Sequence, residues 1–406
     1  MSVQHLTGEP ARALPAARII SLIGLTLALG FGIVLAGAWL SGTWLTDAQG
    51  QPIANDFVNV WAAGHLALEG HAAAAYDWML HKAAEVAAVG HAFANYYGWH
   101  YPPTFLFAAA TLALLPYSAA ALLWLGVTLP AYVTAVRGIV GERTGIFVAL
   151  GSPAVLWNMS AGQNGFLTTA LIGGTLGLMQ RRPVLAGVCL GLLSYKPHFG
   201  LLFPVALIAG AQWRAIVVAA LTAAAMIALS LLVFGTDSWQ AFFNWMPVTS
   251  RVVLGEGGAE FSRLQSVFGL VRAQGGDETL AWGAQAVCAL ALAAAVAWLW
   301  RSRAAFELKA AALSCAALLA TPYLYIYDLV ALTIPVAFLL RLALKRGFLA
   351  SEVAGLCAAV ALLLSYPYAK TQVGLAAAVI VAALIAQRVV AAICKPPMPI
   401  TEANRP

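Results

Sequence analysis

Five short stretches of this chain hold residue types from which a reaction could be assembled. "IANDFVNVWAAGHLALEGHAAAAYDW", residues 53–78, carries Asp56 with His65, Glu69, His71 and Asp77. "NYYGWHYPPTFLF", residues 95–107, sets Tyr96, Tyr97, Trp99, His100 and Tyr101 beside two prolines. "WNMSAGQNGFL", residues 157–167, places the amides of Gln163 and Asn164 between glycines. "LLSYKPHFGLL", residues 192–202, holds Lys196 and His198, and "TPYLYIYDLVAL", residues 321–332, holds Tyr327 and Asp328. A carboxylate can take a proton from a hydroxyl. A sunken lysine can meet the charge that develops on a departing phosphate. Side-chain amides both donate to and accept from hydroxyls, and aromatic rings offer a platform for a sugar ring. Displacement at an anomeric carbon with phosphate leaving needs one base and no strong acid, unlike the carboxylate pair of most glycoside hydrolases. Asp56 fits the base and Lys196 the phosphate contact. A polyprenyl-phosphate sugar has the matching shape, with its tail in lipid and its polar end at the membrane edge.

Each stretch also has a plainer role. Asp56 stands where a helix over 57–69 would begin, the position at which Asp caps. Tyr and Trp collect at membrane interfaces, and Gly162 and Gly165 permit a tight turn. Lys196 needs a partner at depth, and Asp56 or Asp328 would serve as well as a phosphate; Asp328 could equally cap its own segment.

The elements that position these residues are apolar. The 406-residue chain is 62% hydrophobic and 9% charged, and runs of membrane length recur. Backbone polar groups in lipid must be satisfied within the element, so the expected fold is an all-α polytopic membrane protein, a single unit over 1–406. Spans are expected near 18–40, 118–137, 144–160, 164–180, 183–195, 198–211, 213–234, 279–300, 305–321, 322–341, 347–366 and 371–393. The first is too long for a signal-peptide core and lacks a small-residue cleavage site. The five cysteines, at 189, 288, 315, 357 and 394, stand singly, with neither metal-ligand nor disulfide spacing. Treating 103–116 as a juxtamembrane segment gives about 12 transmembrane helices with both termini cytoplasmic. Sixteen of the 22 basic residues then fall inside, among them Arg12, Arg181, Arg182, Lys395 and Arg405. That bias follows the positive-inside rule and accounts for the net charge of +6 without nucleic acid. Eleven of the 16 acids fall outside, and the two long loops, 41–117 and 235–278, are both external. Ionisable groups at the membrane mark function by default. The helix over 57–69 would lie along the membrane surface in the first loop.

The order of "NDF" after the first span, then "YPP", "GQNG", "YKP" and "YIYD", resembles glycosyltransferase family 87. That family is similar to polyprenyl-phosphate-mannose-dependent α-mannosyltransferases and belongs with the multi-spanning GT-C glycosyltransferases. The resemblance covers roughly 18–345. It implies a GT-C fold with juxtamembrane helices in the first external (periplasmic) loop, Asp56 as catalytic base, Lys196 facing the lipid phosphate, and Gln163 and Asn164 lining the cavity. His100, Tyr101, His198, Tyr327 and Asp328 complete the expected substrate-binding set. Some GT-C enzymes carry a second acid after the third span; here Gln163 and Asn164 stand there, so no metal and no other cofactor is expected.

The resulting expectation is a sugar transferase of the bacterial inner membrane, its active site on the periplasmic side. The donor would be a polyprenyl-phosphate sugar and the acceptor a hydroxyl of a glycolipid or glycan. The loop 235–278, with Arg251, Arg263, Arg272, Trp239, Trp245 and Phe261, would gate or bind substrate, its "RLQSVFGLV" forming a short helix over the cavity. A flippase of lipid-linked sugars would instead call for inverted repeats and polar residues near the midplane. A polysaccharide polymerase or ligase would share the large external loops.

Overall fold

The computed structural model describes residues 15–258 and 260–394. Arg12, Lys395, Arg405 and both termini, on which the sidedness argument partly drew, lie outside the described residues, as does the side chain of Cys394. The secondary structure is helical: α1 Ala16–Leu40, α2 Phe57–Leu68, α3 Trp78–Val89, α4 Leu106–Ala113, α5 Tyr117–Val140, α6 Glu142–Leu150, α7 Ala154–Ala161, α8 Gly165–Leu178, α9 Pro183–Leu192, α10 Phe203–Ala209, α11 Trp213–Ser250, α12 Val267–Ala273, α13 Glu278–Arg301, α14 Phe306–Leu319, α15 Thr333–Arg346, α16 Ala350–Ala369 and α17 Val373–Cys394. Short 3-10 turns cover Leu193–Tyr195, Pro197–Gly200 and Ile326–Leu332, the last leading into α15.

Among the described residues, seven helical segments are long and apolar enough to cross a membrane: Ala16–Leu40, Tyr117–Val140, Trp213–Gly255, Glu278–Arg301, Ile326–Arg346, Ala350–Ala369 and Val373–Ala392. They match seven of the twelve expected spans. The other five are short or broken. The run 144–160 splits into α6 and α7 around Gly151–Pro153. The runs 183–195 and 198–211 become α9 and α10 joined by 3-10 turns, and α8 and α14 have 14 residues each. At about 1.5 Å per residue, 14 residues reach about 21 Å, less than a hydrocarbon core of roughly 30 Å. These short helices leave room within the packed interior for irregular backbone and polar side chains.

The stretch 103–116 forms a 3-10 turn, Pro103–Phe105, and α4. It packs on α2, whose Phe57, Val58, Val60, Ala62, Ala63 and Leu66 are all buried. The helix expected to be amphipathic is thus packed within the protein on most of its circumference. His65 stacks on Trp61 with ring centroids 4.9 Å apart and pairs with Glu69 at 3.3 Å, on the helix's outer side.

The expected loop 235–278 also differs. Gly235 takes φ 77°, a left-handed value open to glycine, and α11 bends there and runs on to Ser250. The second half places Trp239, Phe242, Phe243 and Met246 at helical spacing. A π turn follows at Arg251–Gly255, then α12. One large apolar core joins residues from Phe57 in α2 to Val389 in α17.

Candidate active site

Asp56 immediately precedes α2, yet its carboxylate makes no capping bond. Asn55 does that work: its side-chain oxygen accepts from the Phe57 N–H at 3.0 Å and from the Tyr117 hydroxyl at 3.2 Å. The expected capping role of Asp56 is thus taken by its neighbour. The Asp56 carboxylate instead accepts from Gln163 Nε2 at 3.1 Å. The "GQNG" turn brings Gln163 there. Gly162 adopts φ 67°, and a Cβ on it would meet Phe57 Cβ at 2.9 Å and Asn55 Oδ1 at 3.1 Å. The turn therefore packs against the start of α2 only with glycine at this place. Gln163 Oε1 in turn accepts from the Tyr101 hydroxyl at 3.3 Å and from the Asn164 N–H at 3.2 Å.

Opposite lies an ion pair. Lys196, in the break between α9 and α10, donates to Asp328 Oδ1 at 2.6 Å, and both side chains are buried. Asp328 Oδ2 accepts from the Tyr325 N–H at 3.4 Å. Of the partners that the sequence allowed Lys196, Asp328 is the one it meets. The Lys196 ammonium also sits 5.4 Å from the Phe199 ring and 5.8 Å from the Tyr327 ring.

Asp56, Gln163, Lys196 and Asp328 line one cavity of about 1000 Å³, together with His100, Tyr101, His198 and Tyr327. Eight of the nine residues expected at the site converge there. Asn164 does not: it is buried behind the wall, and neither polar atom of its side chain has a partner among the described residues. Its backbone carbonyl accepts from the Tyr195 hydroxyl at 3.3 Å, so it supports the turn rather than facing the cavity.

The aromatic cluster divides. Tyr96, Tyr97 and His100 face the cavity, whereas Trp99 is fully buried and stacks on Phe105 at 5.7 Å. His100 Nδ1 lies 3.0 Å from the Thr249 hydroxyl of the second half of α11. His100 is an exposed side chain at the cavity wall, held by that contact and lying 6.5 Å from the Trp245 ring at 11°.

Sequence reasoning placed Trp245 and Arg263 in a loop over the cavity but missed that α11 provides a helical wall. Phe242, Phe243, Trp245, Met246, Thr249 and Ser250 all line the cavity. The apolar period Trp239, Phe242, Phe243, Met246 was a legible helix signal. Arg263 and Glu260 also line the cavity, Arg263 pairing with Glu260 at 3.8 Å. Their segment is tied down by buried Gln265. Its backbone N–H donates to Leu324 O at 2.6 Å, its side-chain amide donates to Ser262 O at 2.8 Å, and its side-chain oxygen accepts from Gly374 N at 2.7 Å. The helix within "RLQSVFGLV", α12, is capped by Ser266 and does not itself line the cavity.

Electrostatically the cavity is mixed. Burial pushes the Asp56 carboxyl above the usual carboxylate range. The Gln163 hydrogen bond and the charges of Arg263 and Lys196 hold it back, while the Asp328 charge adds to the rise. A carboxyl whose pKa is raised by burial, lining a cavity with two cations on the same walls, is suited to accept a proton while an anion departs.

The family model described as Glycosyltransferase family 87 matches residues 99–322. The matched stretch contains His100, Tyr101, Gln163, Lys196, His198 and Arg263, and lies between Asp56 and Asp328. No curated protein and no solved structure matches the chain.

Proposed function

The chain belongs to glycosyltransferase family 87, and on that premise we propose that it moves a sugar from a polyprenyl-phosphate-linked donor to a hydroxyl of a glycolipid or glycan, by a single inverting displacement. Asp56 takes the proton of the acceptor hydroxyl. The acceptor oxygen bonds to the anomeric carbon as the bond from that carbon to the phosphate oxygen breaks. The phosphate leaves with the electron pair, and Lys196 and Arg263 meet its charge. The proton on Asp56 then passes to water.

The observation that carries this reading is the placement of a hydrogen-bonded carboxylate, Asp56, in one cavity with Lys196 and Arg263. Gln163 orients the base. Tyr96, Tyr97 and His100 offer faces to a sugar, and the exposed Phe243 and Met246 beside the cavity suit a lipid chain. Mannose is the donor sugar to try first. The reaction as written uses no metal.

In the same proposal the chain is one GT-C unit of a bacterial inner membrane. It crosses twelve times if the five shorter segments count as spans, with both termini cytoplasmic and the cavity periplasmic. α2, α3 and α4 would be the juxtamembrane helices of the first loop. The test is purified protein with polyprenyl-phosphate mannose and a panel of lipid and glycan acceptors, the product read by mass spectrometry. A new glycoside is expected, and Asp56→Asn should cut its formation about 10²–10⁴-fold, the usual worth of a positioned base, with an unchanged melting curve. Full activity of Asp56→Asn would remove Asp56 from the role; donor movement across a bilayer with no glycoside formed would favour a transporter.

A further inference from the structure

A second cavity, of about 370 Å³, lies beside the first and shares Asn95 and Tyr97 with it. Its size falls within the roughly 300–1,000 Å³ of small-ligand pockets. Asp47, His91 and Phe93 also line it, as does Ala54, two residues before Asp56. We propose that this cavity holds a neutral sugar ring of the acceptor and delivers its hydroxyl past Tyr97 to Asp56. The proposal rests on the transferase reading and names which side of Asp56 the acceptor comes from.

The charges separate the two cavities. Lys196 and Arg263 line the large one, whereas no lysine or arginine lines the small one, where the titratable side chains are Asp47, His91 and Tyr97. A phosphate is therefore drawn to the first; the Lys82 ammonium near the second is engaged by Glu85, Asn95 O and the Phe93 ring, and the Asp47 carboxylate that lines it disfavours an anion. What the second cavity offers is the equipment for a hydroxylated, uncharged ring: a carboxylate, an amide and two aromatic side chains. Asp47 Oδ1 accepts from Gln49 N at 2.9 Å and Gln51 N at 2.8 Å, so one carboxylate oxygen fixes the local turn and the other is left to a ligand. The Phe93 ring is held by the Lys82 ammonium, 3.2 Å from its centroid, and lies 6.1 Å from Tyr97 at 41°. His91 Nε2 lies 3.1 Å from Pro52 O, joining the two segments that form the cavity.

Tyr97 is the partition. Its hydroxyl donates to Ala54 O at 3.4 Å and accepts from Asn95 Nδ2 at 3.4 Å. Both bonds are at the long end of the useful range, so a sugar hydroxyl can replace either at little cost. Its backbone is firmly placed, the N–H donating to Glu85 Oε1 at 3.0 Å. A side chain loosely held on a fixed backbone can yield to a ligand without moving the wall behind it.

The test uses the full chain in detergent, with methyl glycosides of hexoses and pentoses as probes and ligand-observed NMR as readout. Saturation transfer to at least one glycoside is expected in the wild type and in Asp56→Asn. It should fall at least five-fold in Phe93→Leu, and in Asp47→Asn, which keeps the Oδ1 acceptor of the turn. With the transfer assay running, the same two variants should raise the acceptor KM by a similar factor. Absence of glycoside binding in the wild type, or binding undiminished in both variants, overturns the proposal. Glycoside binding that is lost in the variants, with no product formed by the wild type, would leave the sugar site standing and sink the transferase reading instead.

Discussion

Lys196 and Asp328, 132 residues apart in sequence, meet at 2.6 Å inside the cavity, so the lysine expected to face a phosphate already has an anion beside it. The pair holds the ammonium in place in the absence of substrate and keeps its charge from being stranded. A donor phosphate would join this pair on the lysine's open side or compete with Asp328 for it.

Removing both members should therefore cost less than the two single losses added together. Breaking a buried pair typically costs about 3–5 kcal/mol because a charge is left alone. Lys196→Met and Asp328→Asn should each lower stability on that scale, and the double variant by clearly less than their sum. Denaturation in detergent, run as a double-mutant cycle, measures this; additive losses would mean that the pair is not coupled.

Gln163 should act through Asp56. Its hydrogen bond favours the charged carboxylate and so restrains the rise that burial causes. In Gln163→Leu the Asp56 pKa should climb further. Because a base works deprotonated, the acid limb of the kcat/KM profile should move to higher pH, with the largest loss of rate along that limb. A purely structural role would lower the plateau and leave the limb in place.

Glu85 lies outside the cavity, buried among His81, Lys82 and the Tyr97 backbone. Burial raises its pKa to about 7, against the pull of Lys82, while burial lowers that of His81 to about 3, which keeps the ring neutral. A raised carboxyl contributes its full stability below its unfolded value near 4.5 and loses it as pH rises through about 7. Glu85→Gln should remove that loss. Its melting temperature relative to wild type should improve between pH 5 and pH 8, by a few kcal/mol at most in free energy, since one pKa unit is about 1.4 kcal/mol. A pH-independent difference would contradict this account.

Gln265 holds the segment that presents Arg263. Gln265→Ala would leave the buried Gly374 N–H without its acceptor, a cost of about 1–3 kcal/mol. It should also raise the donor KM more than it lowers kcat. An unchanged donor KM would detach Arg263 from donor binding.

How much of this was legible in the sequence follows from what each signal depends on. Apolar runs longer than the bilayer core were placed to within a few residues, because length and composition alone decide them; α1, α5, α13 and α17 are examples. The break between 183–195 and 198–211 was placed, but the run 144–160 was not recognised as broken, since a proline or glycine inside an apolar run reads the same at a turn as at a kink. The site residues stood out because polar side chains are rare in such a chain. Which of them pair did not, because Asp56 to Gln163 and Lys196 to Asp328 are contacts across 107 and 132 residues. Asn164 shows the limit of motif reasoning. It neighbours Gln163 and has the same chemistry, yet it is buried behind the residues that line the cavity. The second half of α11 was hidden by Gly235, which reads as a helix end and proves to be a bend.

The bond from Asn55 to the first turn of α2 has a consequence for whatever protons pass through Asp56. Had Asp56 been the cap, every change of its charge would have altered the anchorage of the helix behind it. With the anchorage assigned to an amide that does not titrate, the acid can change state on each cycle while the scaffold stays indifferent. Two adjacent residues divide the labour, one holding the architecture constant so that the other can be variable.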